Sequence, residues 1–109
     1  MATINDFIKL DIRVGTIVEA EVNKKAKVPA YKLKIDFGTE IGIKTSSAQI
    51  TKLYKLEDLI NKQVICVINF PPRQVANVIS EVLVLGTESK QGIVLLKPDE
   101  KVKNGDKIA

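Results

Sequence analysis

Apolar and polar residues alternate with a period of two along much of the first half of the chain. In residues 11–23 the even positions carry apolar or β-branched side chains and most odd positions are polar, which predicts a long half-buried strand. Gly15 inside this stretch predicts a sharp bend or a bulge. The same alternation in residues 31–37 and 41–45, on either side of a glycine-containing turn at residues 38–40, predicts a hairpin of two further strands.

The second half of the chain combines one helical pattern with shorter apolar runs. Leucine and isoleucine recur at helical spacing in residues 51–60, which predicts a short helix or two helical turns. The apolar run of residues 64–70 predicts a fourth strand in a central position, which the prolines that follow bring to an end. Residues 81–85 and 93–96 predict a fifth strand and a short sixth strand.

The two ends of the chain add smaller elements. Residues 3–6 have the spacing of a helix start, and Ile4, Phe7 and Ile8 supply one apolar face that would pack on the strand that follows. Residues 102–108 contain an Asn-Gly turn and an end strand that can close the edge of a sheet.

This order of elements predicts an all-β fold. Five short strands with a helix between the third and the fourth, in a chain of 109 residues, are typical of an OB-fold, a five-stranded Greek-key barrel. The N-terminal helical turn and the C-terminal strand would be additions to this barrel. We find no internal repeat and no linker, so residues 1–109 are predicted to form one domain.

Composition narrows the possible functions. The chain has no histidine and only one cysteine, and it lacks the glycine-rich nucleotide motifs, which argues against catalytic triads, zinc or copper centres and bound cofactors. We therefore expect a binding protein and not an enzyme. Cys66 lies within an apolar run and is interpreted as a buried side chain, which favours the cytoplasm. No apolar run approaches the roughly 20 residues that a membrane helix needs, so we expect no membrane insertion.

A polar rim after the fourth predicted strand is the candidate binding site. Two prolines follow Asn69 and Phe70 and would hold this rim rigid in front of Arg73. The planar guanidinium group of Arg73 could bind a peptide carboxylate, a carbonyl group or a phosphate, or could form a structural ion pair with Glu81. Asn69 could bind the backbone of an extended ligand or cap its own strand, and Phe70 could be a ligand floor or part of the core.

Several motifs in this sequence resemble the tRNA-binding domain family, and most closely its CsaA branch. The Asp-Ile-Arg-Val-Gly opening of residues 11–15 is similar to the family as a whole. The resemblance to the branch is carried by residues 35–51, 60–64, 69–73 and 80–86, and it extends over nearly the whole chain. It implies a cytoplasmic homodimer that acts as an export-related chaperone on unfolded polypeptides or preproteins, with the export machinery as a further partner. Because the sequence has no visible nucleotide site, we expect it to act without ATP.

The resemblance also implies a peptide-binding site at the rim and on the polar break of residues 46–49. Ser47 and Gln49 belong to this break, where the alternative roles are turn formation and helix capping. Ser80 and Glu81 could contact the ligand or hold Arg73. The full set of predicted peptide-binding residues is Asn69, Phe70, Pro72, Arg73, Ser80, Glu81, Ser47 and Gln49.

Binding of tRNA is the alternative function. The chain has 17 basic and 13 acidic residues, and its net charge of +4 is compatible with a surface that binds phosphate. The tRNA-binding relatives carry an Arg-Gly pair where this chain has Ala76 and Asn77, and the acidic Glu81 would repel phosphate. If tRNA does bind, we expect the contacts to be made by Lys44, Lys52 and Arg73.

Overall fold

The computed structural model describes residues 1–109 as two short helices and nine β-strands. Five strands form an antiparallel sheet in the order β3-β2-β1-β4-β7, and the other four form two separate hairpins, β5-β6 and β8-β9. The elements are α1 (Ile4–Ile8), β1 (Ile12–Val22), β2 (Tyr31–Asp36), β3 (Ile43–Ala48), α2 (Leu56–Leu59), β4 (Gln63–Val67), β5 (Arg73–Val75), β6 (Val78–Ser80), β7 (Leu83–Val84), β8 (Gly86–Ser89) and β9 (Gly92–Leu95).

The barrel predicted from the sequence is confirmed. The five-stranded sheet curls into a nearly closed antiparallel barrel with α2 between β3 and β4, as in an OB-fold. The inward side chains of β2 alternate as predicted, and Leu33, Ile35 and Phe37 are almost completely buried. Each such side chain contributes about 1.5–3 kcal/mol by leaving water. Cys66 lies in the same core, and burial raises the pKa of its thiol from 9.0 to about 12.

The alternation predicted for β1 is interrupted by a bulge. Ile17 pairs with Ile35 and Glu19 pairs with Lys34, so Val18 has no partner on β2 and points outward. The even positions of β1 formed the predicted apolar face, but Val18 is 37% exposed because the bulge removes it from the pairing with β2, and Val22 at the end of the strand is 50% exposed. The bulge lies three residues beyond Gly15, where the sequence predicted a bend or bulge.

Gly15 is instead needed for close packing. A β-carbon built at this position would lie 2.6 Å from Cγ2 of Ile35 and 2.8 Å from Cδ1 of Phe37. The side chains of Ile35 in β2 and of Phe37 directly after it therefore fill the space above the glycine. Gly15 also pairs with Val64 of β4 and is itself buried.

The predicted orientation of β3 is wrong. Ile43 was expected to face the core, but its side chain is exposed and Ser46 and Ala48 are buried. The loop between Phe37 and Gly42 sets the register, because Asp36 pairs with Ile43 and the inward Leu33 therefore pairs with Ser46. β3 also continues through most of the predicted polar break of residues 46–49.

Other predicted elements differ in extent. The predicted helix of residues 51–60 is reduced to α2, and β4 ends at Val67, earlier than predicted. The predicted fifth strand of residues 81–85 contributes only the two residues of β7 to the sheet. The hairpin β5-β6 and strand β8 were not predicted. No helix in the structure is long and apolar enough to span a membrane.

The two chain ends lie against the same part of the barrel. The C-terminal segment pairs with the start of β1 through Val14 and Ile12, which confirms the prediction that it closes a strand edge. Helix α1 forms as predicted, and the Thr3 N–H donates to Oδ2 of Asp6 at 2.8 Å. Its apolar side chains were expected to pack on the barrel, but none of the helix residues is buried.

A substitution at Gly15 tests the packing of β1 on β2. Gly15→Ala should lower the free energy of unfolding by about 1–3 kcal/mol, because the added methyl group meets Ile35 and Phe37. Urea denaturation measures this loss. Combining Gly15→Ala with Phe37→Leu should cost less than the sum of the two single changes, since the smaller side chain makes room. Strict additivity would contradict the packing described above.

Candidate functional site

The hairpin β5-β6 forms one wall of the candidate site. Its two strands are joined by Ala76 and Asn77, and the φ of Ala76 is 56°, in the left-handed region that few residues other than glycine and asparagine favour. Arg73 pairs with Ser80 across the hairpin. The Ser47 N–H of β3 donates to Oγ of Ser80 at 3.1 Å, and this contact holds the hairpin beside β3.

Residues 80–82 close the barrel by capping the free edge of β3. The Thr45 N–H donates to Oε1 of Glu81 at 3.0 Å, and the Glu81 N–H donates to the Thr45 carbonyl at 2.7 Å. The buried Oγ of Ser46 donates to the Val82 carbonyl at 3.0 Å. Without these contacts, the backbone groups at this edge of β3 would be open to pairing with another chain. The side chains of Ser80 and Glu81 thus occupy the place of a neighbouring strand in the sheet.

A cleft of about 360 Å³ lies between this hairpin and the edge of the barrel. Its floor is largely apolar, and it contains one basic and one acidic side chain. The lining residues are Ser47, Phe70, Pro71, Arg73, Val75, Ser80, Glu81, Val82 and Leu83.

The one basic group of the cleft has no acidic partner. The side chain of Arg73 is exposed and makes no hydrogen bond or ion pair, so the alternative of a structural pair with Glu81 is not formed. The carboxylate of Glu81 instead accepts from the Thr45 N–H, and its second oxygen lies 3.9 Å from Nζ of Lys44. The guanidinium group of Arg73 therefore keeps all its donors available at the mouth of the cleft.

The structure brings together five of the eight residues predicted for a peptide site. Ser47, Phe70, Arg73, Ser80 and Glu81 all line the cleft. Phe70 is 44% exposed and so is a surface of the cleft and not part of the core.

The other three predicted residues lie outside this cleft. The side chain of Asn69 joins the end of β4 to the segment after α1, since its Oδ1 accepts from the Asp11 N–H at 2.9 Å and its Nδ2 donates to the Lys9 carbonyl at 2.8 Å. Pro72 is exposed, and the neighbouring Pro71 lines the cleft in its place. Gln49 lines a second cleft of about 340 Å³.

The residues predicted for tRNA do not form one patch. Lys44 lies near the start of β3 beside Glu81, and Lys52 lines the second cleft beyond the end of that strand. At about 3.3 Å per residue, β3 separates the two lysines by roughly 13 Å or more. Arg73 lines the same cleft as Glu81, which Lys44 approaches, whereas Lys52 does not line that cleft. The structure also contains no group of three or more histidine, cysteine or acidic side chains placed to hold a metal ion.

Sequence reasoning missed the hairpin and therefore missed Val75 as a lining residue. A signal was present, because Val75 and Val78 flank the two-residue Ala-Asn turn and bring apolar side chains to one face of the hairpin. Leu83 was assigned to a strand, but its 48% exposure and its place in the cleft make it part of the candidate site.

Comparisons with known proteins identify the same family as the sequence motifs. A family model described as a putative tRNA binding domain matches residues 12–107. The crystal structure of the CsaA chaperone protein from Picrophilus torridus is 60% identical with a TM-score of 0.96, and 100% of each chain is covered. That of the chaperone CsaA from Bacillus anthracis strain Ames is 54% identical with a TM-score of 0.93, covering 100% of this chain and 99% of the other.

An enzyme also contains a similar region. The methionine–tRNA ligase of Pyrococcus horikoshii is 40% identical over 103 residues, which are 94% of this chain but only 14% of the ligase. The chain thus spans a small part of the length of the curated relatives that it matches. These findings confirm the resemblance that the sequence motifs indicated.

Two substitutions test which side chains of the cleft stabilise the fold. Glu81→Ala should lower the free energy of unfolding by about 1–2 kcal/mol, because it leaves the Thr45 N–H without its side-chain acceptor. Arg73→Ala should change it by less than about 0.5 kcal/mol, since the side chain of Arg73 has no hydrogen-bond or ion-pair partner. Urea denaturation of both variants gives these values. An equal loss for the two variants would mean that Arg73 and Glu81 act as a pair.

Proposed function

This chain belongs to the putative tRNA-binding domain family, and from that premise we propose that it is a chaperone that binds unfolded or export-competent polypeptides. In this proposal it is a cytoplasmic homodimer that works without ATP and without catalysis. Preproteins are its clients, and the protein export machinery is the partner to which it would pass them.

The cleft beside the β5-β6 hairpin is the observation that carries this proposal. Its apolar floor of Phe70, Val75 and Leu83 suits an apolar side chain of an unfolded segment. The hydroxyl groups of Ser47 and Ser80 and the unpaired guanidinium group of Arg73 supply polar contacts beside this floor. Such a combination matches a polypeptide in extended conformation, which carries an apolar side chain and polar backbone groups side by side.

Within this cleft each residue has a distinct role. Phe70 and Leu83 would contact the apolar side chain of the client, and their exposure of 44% and 48% provides surface to be buried on binding. Arg73 would donate to a main-chain carbonyl or a carboxylate of the client. Glu81, whose carboxylate is engaged by the Thr45 N–H, would hold the strand edge and not the ligand.

The comparisons support a chaperone over a part of an enzyme. The two CsaA chaperones match this chain over its whole length at 60% and 54% identity. The ligase of Pyrococcus horikoshii matches at 40% identity, and only through a small part of its own length. The sequence identity to the two proteins named as chaperones is thus higher than the identity to this ligase.

Unburied apolar side chains on α1 support the homodimer. Ile4 is 70% exposed, Phe7 38% and Ile8 62%, and the bonds of Asn69 hold this helix beside the end of β4. Pairing of two chains through this apolar helix face would remove it from water. A dimer would also present two clefts, so that weak binding at each cleft becomes stronger when one client occupies both.

Binding of tRNA remains the second candidate function, because the matching family model describes a putative tRNA binding domain. It would use Lys44, Lys52 and Arg73 to contact phosphates. The separation of these residues and the nearness of Glu81 to Lys44 do not favour one continuous phosphate track. Affinity for tRNA by such contacts would fall steeply as the salt concentration rises.

Substitution of Arg73 tests the chaperone proposal. Arg73→Ala should weaken the binding of a fluorescent, unstructured apolar peptide by at least about tenfold, because hydrogen bonds to a charged group are worth about 1.5–3 kcal/mol. Fluorescence anisotropy measures the dissociation constant. Lys90→Ala is the matched control, since it removes one positive charge from the exposed turn between β8 and β9 and should leave the affinity unchanged. An unchanged affinity for Arg73→Ala would remove Arg73 from the site.

A further inference from the structure

The buried side chain of Asn23 joins three parts of the molecule. Asn23 directly follows β1 and is 5% exposed. Its Nδ2 lies 3.3 Å from Oγ of Ser47 on β3 and 3.4 Å from the Val75 carbonyl on the hairpin, and it donates to both. Its own backbone N–H donates to the Ala30 carbonyl at 2.9 Å, and its carbonyl accepts from the Ala26 N–H at 3.2 Å.

Only the NH₂ group of the Asn23 side-chain amide takes part in hydrogen bonds. The carbonyl oxygen Oδ1 of the same side chain is buried and has no hydrogen-bond partner. Burial of an unpaired polar atom destabilises the folded chain, so an apolar residue of similar size would suit this position better if packing were its only role. The amide compensates for this cost because its Nδ2 donates to both β3 and the hairpin.

Both acceptors of this amide belong to walls of the candidate cleft. Ser47 lines the cleft from β3, and Val75 lines it from β5. The only other hydrogen bond described between the hairpin strands and β3 is that from the Ser47 N–H to Oγ of Ser80. At the Ser80 end the separation of the walls is also held by the bonds of Glu81 and Val82 to Thr45 and Ser46. At the Val75 end the side chain of Asn23 supplies the hydrogen bonds to both walls.

We propose that Asn23 is a positioning residue for the cleft: its side-chain amide fixes the β5-β6 hairpin at the separation from β3 that gives the cleft its width. The cleft is then formed before a ligand arrives, and no ordering of the hairpin has to accompany binding. The identity of the ligand as a polypeptide rests on the function proposed above, but the placement of the hairpin by Asn23 does not.

The backbone amide of Ser47 reports directly on this placement. It is protected from solvent exchange by Oγ of Ser80, so a hairpin that moves away from β3 leaves it open to water. Asn23→Ala should increase the hydrogen-exchange rate of the Ser47 amide by about tenfold, the change expected for loss of one or two buried hydrogen bonds. Exchange at Leu33 and Ile35 in β2 should not change, because these amides report on the barrel and not on the hairpin.

The same variant should also weaken binding of the unstructured apolar peptide by about tenfold, since the cleft is no longer preformed. Gln74→Ala is the matched control. It removes a side-chain amide from the same hairpin, but one that bonds only to the Ala76 carbonyl and does not reach β3. Exchange of the Ser47 amide and the affinity for peptide should both stay at the level of the unmodified protein.

The outcomes separate this inference from the proposed function. Unchanged exchange at Ser47 in a folded Asn23→Ala variant overturns the role of Asn23, whatever the affinity for peptide. Faster exchange at Ser47 in a protein that does not bind the peptide supports the role of Asn23 and overturns the peptide as ligand. If Asn23→Ala does not fold, Asn23→Ser keeps a shorter polar group at the position and the same exchange measurement decides.

Discussion

The barrel closes where residues 80–82 bond to the edge of β3, and this closure places the hairpin and the cleft. The free edge of β3 is satisfied by the side chains of Ser80 and Glu81 and by one backbone bond from Glu81, and not by a full strand. Leu83, two residues after Glu81, pairs with Val67 of β4. The same short segment therefore contacts β3 on one side and β4 on the other. The hairpin that precedes this segment is thereby brought beside β3, and the cleft is the space that remains between them.

This way of closing the barrel also determines the charge of the cleft. Glu81 is drawn to the edge of β3 by the Thr45 N–H and lies near Lys44, so its negative charge is not available to Arg73. A single unpaired guanidinium group at the mouth of an apolar cleft favours a ligand that is apolar with an acceptor beside it. A continuous polyanion would need several such groups in a row. Of the other two candidates, Lys44 lies beside the carboxylate of Glu81 and Lys52 lines the second cleft.

Much of the fold could be predicted because period-two patterns and turn residues are local signals. The inward side chains of β2, the position of α2 between two strands and the pairing of the C-terminal segment with β1 all follow from local patterns in the sequence. The inward face of β3 was not, because its register is set by the loop after Phe37 and brings the polar Ser46 into the core. The site was predicted in part, because Phe70 and Arg73 flank a conspicuous Pro-Pro pair. Asn23 lies far from them in the chain, and only the folded structure brings its side chain to Ser47 and Val75 of the cleft.

The most direct test of a polypeptide-binding cleft compares the binding of tRNA and of a peptide at two salt concentrations. Fluorescent tRNA and an unstructured apolar peptide would each be titrated with the protein, first at low salt and then at physiological salt. If the cleft binds polypeptide, peptide binding should persist at physiological salt, and tRNA binding, which depends on phosphate contacts, should be largely lost. Binding of tRNA that survives physiological salt, with no effect of added peptide, would contradict the account and favour a tRNA-binding protein.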